Sequence, residues 1–273
     1  MRCCFNCDKE LIQTIFDSKQ WRVRFFINFS YKGTNYHGWQ FQSNAITVQE
    51  EMEAAMSTLL KEPIKLTASG RTDSGVHANK MVAHFDIKFD SKLDNNFTYK
   101  LNQFLPQDIS INSIKRVKDD AHARFDAISR TYEYFISLKK TPFGNDFHYS
   151  FEKTLDLNLM KEATKVLLKY DDFECFSKTK TDVKTFKCKI SFAEWTLLRN
   201  GYKFQITANR FLRNMVRAIV GTLLDIGLKK KTVDDLSKII ENKNRSLAGF
   251  SVPAKGLFLK DIEYPDNVYL SNE

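Results

Sequence analysis

The segment Gly70-Arg71-Thr72-Asp73-Ser74-Gly75-Val76-His77 sets one carboxylate between an arginine and two glycines. It is too punctuated for helix or strand and reads as a loop. Gly70 and Gly75 admit backbone angles closed to other residues and let a substrate approach the main chain. Arg71 places a fixed positive charge two residues from Asp73, a counter-ion that suits a nucleophilic carboxylate. Most such Arg–Asp pairs are solvated surface ions, so the rest of the chain has to decide between a bland loop and a site. Asp73, Ser74 and His77 also invite a hydrolase triad, but three residues packed into five positions do not align in that relay.

A second group of charges lies far along the chain. The spacing predicts a long helix over Phe211–Ile226, apolar almost all round and ended by a left-handed cap at Gly227. Arg213 and Arg217 stand four apart and would share one face of it. Arginine on so apolar a helix needs an anion or a route to solvent. Asp73 and an RNA phosphate are the candidate anions, and snorkelling to the surface is the ordinary alternative. Tyr132 opens a strand, where spacing alone favours core packing. The functional alternative is a ring stacked on an unpaired base, its hydroxyl placed for proton transfer. Lys178, Lys180, Lys184, Lys187 and Lys189, interleaved with Thr179, Thr181 and Thr185, form either a solvated loop or an arm that grips phosphates.

The elements that must hold these residues follow from periodicity. Trp21, Val23, Phe25, Ile27 and Phe29 alternate as a half-buried strand. Thr47 and Glu50 form a capping box for a helix with Val48, Met52, Met56, Leu59 and Leu60 on its apolar face. Ile64, Leu66 and Ala68 predict a second strand that delivers the chain into Gly70–His77. Met81, Ala83, Phe85, Ile87 and Phe89 predict a third. A short helix around Phe97–Leu105 and a strand over Ile109–Val117 complete a β-α-β-β-α-β order. The order then repeats: a strand from Tyr132 to Leu138, a helix face of Leu159, Ala163, Val166, Leu167 and Tyr170, and strands Cys188–Leu198 and Tyr202–Ala208 meeting at Asn200-Gly201. The long helix, a second helix over Thr232–Glu241 and a strand over Leu257–Tyr264 close it. The expected fold is α+β: two ferredoxin-like halves with mixed, mainly antiparallel sheets, helices on one side and an active-site cleft between the halves. The expected division is an extension over 1–20, a first half over 21–122 carrying the loop, and a second over 123–273.

Composition bounds the partners. The 273 residues carry 42 Lys+Arg against 33 Asp+Glu, a formal charge of +9, which favours a polyanion such as nucleic acid. No apolar run approaches the roughly 20 residues of a bilayer span, and no secretory pattern opens the chain; the expectation is a cytoplasmic protein without membrane attachment. Cys3, Cys4, Cys7, Cys175 and Cys188 are odd in number, against a disulfide framework. The nearest histidine to the first three, His37, is out of ligand spacing, so no metal site is expected.

Five blocks in order carry a resemblance. Gly70-Arg71-Thr72-Asp73-Ser74-Gly75-Val76-His77-Ala78 resembles the signature of the tRNA pseudouridine synthase A family. Tyr31-Lys32-Gly33-Thr34-Asn35-Tyr36-His37-Gly38-Trp39-Gln40 with Thr47-Val48-Gln49 resembles its opening block. His122-Ala123-Arg124-Phe125-Asp126-Ala127, leading into Arg130-Thr131-Tyr132-Glu133-Tyr134, resembles the middle one. Phe211–Arg217 through Gly221 and Pro253-Ala254-Lys255-Gly256-Leu257 resemble the helical and closing blocks. Ser74 departs from the usual alanine, and Asn79-Lys80-Met81 from a Leu-Gly-Gln-like run. The resemblance implies isomerisation of uridine to pseudouridine at positions 38 to 40 of the tRNA anticodon arm, by a homodimer with no metal and no organic cofactor. It implies Asp73 as nucleophile, Arg71 extruding the base and filling its place, Tyr132 stacked on the flipped uracil and Arg217 paired with Asp73. Candidate tRNA-binding residues are Arg71, Tyr132, Arg124, Arg130, Arg213, Lys80, Lys178 and Lys180. The competing reading is an RNA-binding protein without chemistry, to which a carboxylate facing phosphates would be no help.

Overall fold

The computed structural model describes residues 22–88, 93, 96–179 and 183–270. Residues 1–20 with Cys3, Cys4 and Cys7, together with Trp21, Phe89, Lys180 and Thr181, lie outside them. Strands β1 (Arg22–Tyr31), β2 (Thr67–Ala68), β3 (His77–Lys88) and β4 (Ile109–Arg116) alternate with helices α1 (Val48–Leu60) and α2 (Phe97–Phe104). The second half runs β5 (Ser129–Ser137), β6 (Tyr149–Ser150), α3 (Leu157–Leu167), β7 (Ile190–Leu198), β8 (Gly201–Ala208), α4 (Met215–Gly227), α5 (Val233–Glu241) and β9 (Leu257–Glu263).

All strands belong to one nine-stranded sheet of order β4-β1-β3-β9-β5-β8-β7, with β2 on β3 and β6 on β5. Read separately, β4-β1-β3-β2 and β9-β5-β8-β7 have the same order: fourth, first, third and second strand of a β-α-β-β-α-β unit. Both halves are therefore ferredoxin-like, and they meet where β3 and β9 pair in parallel at His77↔Phe258 and Ala78↔Leu259. Apart from that pair and β5·β6, the pairing is antiparallel.

Alternation decides which face is covered. In the first half Ile27, Phe29, Met81, Ala83 and Phe85 are buried with Val48, Met52 and Met56 of α1 and Leu101 of α2. In the second, Tyr134, Ile136, Phe204 and Ile206 are buried with Met160 of α3, Ile219 and Leu223 of α4 and Leu236 of α5. Tyr132 packs against both cores.

Several expectations shift. The second strand keeps only Thr67 and Ala68, because the backbone at Leu66 donates to the Glu53 carboxylate of α1 instead of to a strand. Thr47 accepts from the Glu50 amide, but the reciprocal capping box is at Thr232 and Asp235. The hairpin between β7 and β8 turns at Arg199-Asn200, one residue earlier than expected. Helix α4 starts at Met215, four residues late, since Asn214 adopts a left-handed φ of 67°. Gly227 stays helical, and the left-handed residue after α4 is Lys229.

Candidate active site

The loop over 69–76 joins β2 to β3 at the line where the halves meet. Its geometry is imposed by the segment after β1. The Thr72 hydroxyl is 2.8 Å from that of buried Tyr31, and its carbonyl accepts from the Trp39 amide at 3.3 Å. The Tyr36 carbonyl accepts from the Gly75 amide at 3.3 Å and from Ser74 Oγ at the same distance. Gly38, at φ +93°, lies so close that a Cβ there would sit 2.4 Å from the Thr72 carbonyl oxygen. Gly75 has φ +77°, whereas Gly70 has ordinary backbone angles and open space beside it. Only one of the two loop glycines is thus required by its conformation.

Tyr36 is itself fixed. Its hydroxyl donates to Asp108 Oδ1 at 2.5 Å, and burial together with that carboxylate pushes its pKa up. Asp108 precedes β4, and its carbonyl accepts from the Lys32 amide at 2.8 Å. The chain β4–Asp108–Tyr36 therefore ends on the loop that carries Asp73. His77 closes the loop but is fully committed: Nδ1 accepts from the Gly33 amide at 3.0 Å, and Nε2 faces the carbonyls of Asp146 and Lys255 at 2.9 and 3.2 Å. That fixes the tautomer with the proton on Nε2, and burial lowers the imidazole pKa. His77 is a bracket between the halves and no member of a triad.

Across the junction, the second half brings two cations to Asp73. Arg213 Nε is 3.5 Å from Oδ1, and Arg217 Nη1 is 3.5 Å from Oδ2. The shared helix face expected for them does not exist, because Arg213 precedes α4; the left-handed Asn214 turns it back beside Arg217. Asn214 is held by its side-chain amide, which donates to Ser251 Oγ at 2.6 Å. Arg217 is held by Nε, which donates to the Val252 carbonyl at 2.7 Å. The 249–252 segment can reach α4 because Gly221 leaves room; a Cβ there would stand 1.8 Å from the Phe250 carbonyl oxygen. Arg217 is 20% exposed and Arg213 59%, so the first is an interior partner and the second a rim one.

Tyr132 reaches the same place from β5, edge-on to Phe211 with ring centroids 5.1 Å apart. Burial pushes its hydroxyl up to about 12; Arg130 opposes and Asp73 adds to the shift. The phenol is protonated throughout the neutral range.

The remaining sequence candidates divide. Arg71 is exposed and makes no hydrogen bond or ion pair among the described residues; the counter-ions of Asp73 come from the second half instead. Arg130 gives its guanidinium to four carbonyls: Nη1 to Ala127 and Asn209 at 2.9 and 2.7 Å, Nη2 to Ser69 and Arg124 at 3.1 and 2.5 Å. It ties the strand that feeds the loop to the second half. Lys80 pairs with Asp261 at 2.6 Å across β3 and β9. Arg124 is exposed, with its guanidinium over Phe125. Lys178 is exposed and anchors its backbone amide on the Arg213 carbonyl at 3.1 Å, whereas Lys180 lies outside the described residues. Sequence reasoning missed Asp108 and the Ser251–Val252 clamp. The only trace of this framework was the Tyr31–Gln40 block, in which Tyr36 stood without a role. Among the described residues no group of His, Cys, Asp or Glu is placed to hold a metal ion.

Two ferredoxin-like halves on one sheet, with a single carboxylate from one facing two arginines of the other, define an α+β protein whose site exists only at the junction. The family model of tRNA pseudouridine synthases matches residues 27–126 and 165–265. The tRNA pseudouridine synthase A of Bacteroides fragilis is 51% identical over 247 residues, covering 90% of this chain and 98% of that protein. That of Porphyromonas gingivalis is 48% identical over 251 residues, 91% of this chain and 100% of its own. The Bacillus subtilis protein of the same name is 38% identical over 246 residues, 89% and 99% respectively. The chain belongs to the tRNA pseudouridine synthase A family and is an isomerase of tRNA.

Proposed function

We propose that this enzyme isomerises uridine to pseudouridine in the anticodon stem-loop of tRNA, at positions 38, 39 and 40, with Asp73 as nucleophile. The observation that supports this reading best is the arrangement of Asp73, Arg213, Arg217 and Tyr132 around one point between the halves. Moving the glycosidic bond from N1 to C5 requires the uracil to be released, rotated and rejoined, and the C5 proton to be removed. A carboxylate starts this by attacking C1′ of the sugar or C6 of the base. The base must first leave its stack, at about a few kcal/mol. Arg71, exposed on the loop itself, fills the vacated space; Tyr132 offers its ring to the flipped uracil. Arg217 keeps Asp73 oriented from a fixed perch on Val252, and Arg213 at the rim adds charge facing the backbone phosphates. Arg124, Lys80, Lys178 and Lys180 extend the phosphate-binding surface, and Arg130 serves it by holding Arg124 and Ser69 in place.

In this reading the functional divisions are 1–20, 21–122 and 123–273, the working unit is a homodimer, and the tRNA substrate places the enzyme in the cytoplasm. No helix among the described residues is long and apolar enough to cross a membrane. The test is tritium release from a tRNA transcript labelled at uridine C5, followed by mapping of the modified position. Wild type should release tritium at 38 to 40, and Asp73→Asn should bind the tRNA yet turn over more than about 10³-fold more slowly. Full turnover by Asp73→Asn overturns the nucleophile assignment, and a monomer in light scattering at high concentration removes the dimer.

A further inference from the structure

We propose that Phe125, framed by His122 and Arg124, is a stacking platform for an unpaired nucleotide of the tRNA that flanks the uridine entering the Asp73 site. The proposal rests on the reading of the Asp73 site given above and adds a subsite to it. Phe125 is 74% exposed, although burying such a ring is worth roughly 1.5–3 kcal/mol. Exposure alone is ordinary; exposure on an immobilised backbone is not. The Phe125 and Asp126 amides both donate to the His122 carbonyl, at 3.1 and 3.0 Å. Asp126 Oδ2 accepts from the His122 amide at 2.7 Å, and His122 Nδ1 accepts from the Arg124 amide at 3.1 Å. From outside the turn, the Tyr264 hydroxyl donates to the Ala123 carbonyl at 2.5 Å, and the Ala123 amide donates to His84 Nδ1 at 3.1 Å. The turn is thus pinned by its neighbours so that one aromatic ring faces solvent, with its ordering entropy already spent.

The chemistry beside the ring identifies the ligand class. The His122 ring lies 4.3 Å from that of Phe125, and the Arg124 guanidinium carbon 5.7 Å from its centroid. An aromatic face next to a guanidinium binds a base by stacking and its phosphate by charge, the pattern of single-stranded nucleic-acid sites. A protein-docking patch would instead need contiguous apolar surface; the turn around Phe125 presents His122, Arg124 and Asp126, and the exposed Ile128 follows three residues on as a single apolar side chain. Continuity with the site is direct: the same Arg130 nitrogen that holds the Arg124 carbonyl also holds the Ser69 carbonyl. The four residue steps from Ser69 to Asp73 span at most about 14 Å, so an RNA strand whose uridine reaches Asp73 passes within a few nucleotides of Phe125.

Phe125→Ala should weaken tRNA binding about 5- to 100-fold, with the loss in KM and Kd rather than in kcat, and with unchanged thermal melting. Phe125→Tyr should restore binding. Arg124→Gln should lower the salt dependence of binding by about one phosphate contact, whereas Phe125→Ala should leave that slope alone. Phe125→Trp supplies a direct reporter, since the fluorescence of the introduced indole should be quenched when unmodified tRNA is added. Unchanged Kd for Phe125→Ala, together with no quenching in the Phe125→Trp variant, overturns the platform, whether or not the wild type makes pseudouridine. An effect of Phe125→Ala confined to oligomeric mass would likewise overturn it in favour of a protein contact. Quenching by tRNA in an enzyme that forms no pseudouridine would sustain the platform and sink the assignment of the Asp73 site.

Discussion

The two halves have the same strand order and place different things at the same topological points. Between its second and third strands the first half carries the eight-residue loop with Asp73; between the corresponding strands the second half makes a two-residue turn at Arg199-Asn200. The helix that follows the third strand is reversed in importance. In the first half it is α2, eight residues long; in the second it is α4, thirteen residues long, whose N-terminal turn brings Arg217 to Asp73. Neither half holds the whole arrangement, since one supplies the Asp73 carboxylate and the other its two cations and Tyr132. The shared fold does the positioning; the chemistry lives in what interrupts it.

The largest test of this division removes the second half's contribution. Arg217→Ala deletes the partner of Asp73 and the anchor on Val252 together, and turnover should fall about 10²- to 10³-fold. Arg213→Ala, at the exposed rim, should cost only about tenfold, and more of it in KM. Equal losses from the two substitutions, measured by tritium release at saturating tRNA, would break the distinction between interior and rim partner.

Next comes the first half's own support for its loop. Tyr36→Phe removes the hydroxyl on Asp108 while keeping the carbonyl that holds Gly75 and Ser74. A loop displaced by a fraction of an ångström loses turnover, and about tenfold is expected, with KM little changed. Asp108→Asn still accepts the Tyr36 hydrogen bond and should recover most of the rate. A parallel loss in melting temperature without a change in kcat would mean that the chain from Asp108 supports the fold and not the site.

How much of this was legible beforehand depended on range. The β-α-β-β-α-β order and its repeat followed from local periodicity, because one face of each strand must be buried. That the halves share one sheet was not legible, since the β3–β9 pairing links residues 77 and 258. Asp73 stood out through its glycine-flanked loop, and Arg213 and Arg217 through their apolar surroundings. The shared helix face read for the arginines does not hold: helical spacing cannot reveal that Asn214 turns left-handed and delays the helix to Met215. Arg71 was paired with Asp73 because adjacency was the only distance the sequence offered. Arg130 could not be seen as a clamp on four carbonyls, and Asp108 carried no signal, because both act on partners brought close only by the fold.

A smaller asymmetry concerns acid. On the face of the first half's sheet away from the helices, where Phe26, Val82, Val117 and Ala123 are buried together, His84 Nδ1 accepts from the Ala123 amide, and burial, reinforced by the Arg24 and His122 charges, pushes its pKa down to about 4. The equivalent strand β8 has no histidine. A folded pKa below the unfolded value of about 6.5 means that the unfolded chain binds the proton first. The contribution is whole above pH 6.5 and is lost as pH falls towards 4, by up to about 3 kcal/mol. Amide exchange at pH 4.5 should therefore rise in β1 and β3 before β5 and β8, and His84→Asn, which keeps an acceptor, should flatten that difference. Uniform exchange across both halves would remove the asymmetry.

The smallest expected effect tests the claim that the second half's turn is chemically idle. Arg199 and Asn200 are both exposed, and the backbone hydrogen bond that ties the turn to the chain just after β5 uses the Asn200 carbonyl, which accepts from the Leu138 amide at 3.0 Å. Substituting either side chain by alanine leaves that bond intact. Stability should stay within about 0.5 kcal/mol, as for surface sites in general, and turnover within twofold. A loss of tRNA affinity on Arg199→Ala, read from its salt dependence, would show that the position matching the Asp73 loop touches the substrate after all. In that case the halves divide the work less cleanly: both β-β connections would face RNA, one with a carboxylate for the base and one with a guanidinium for the backbone.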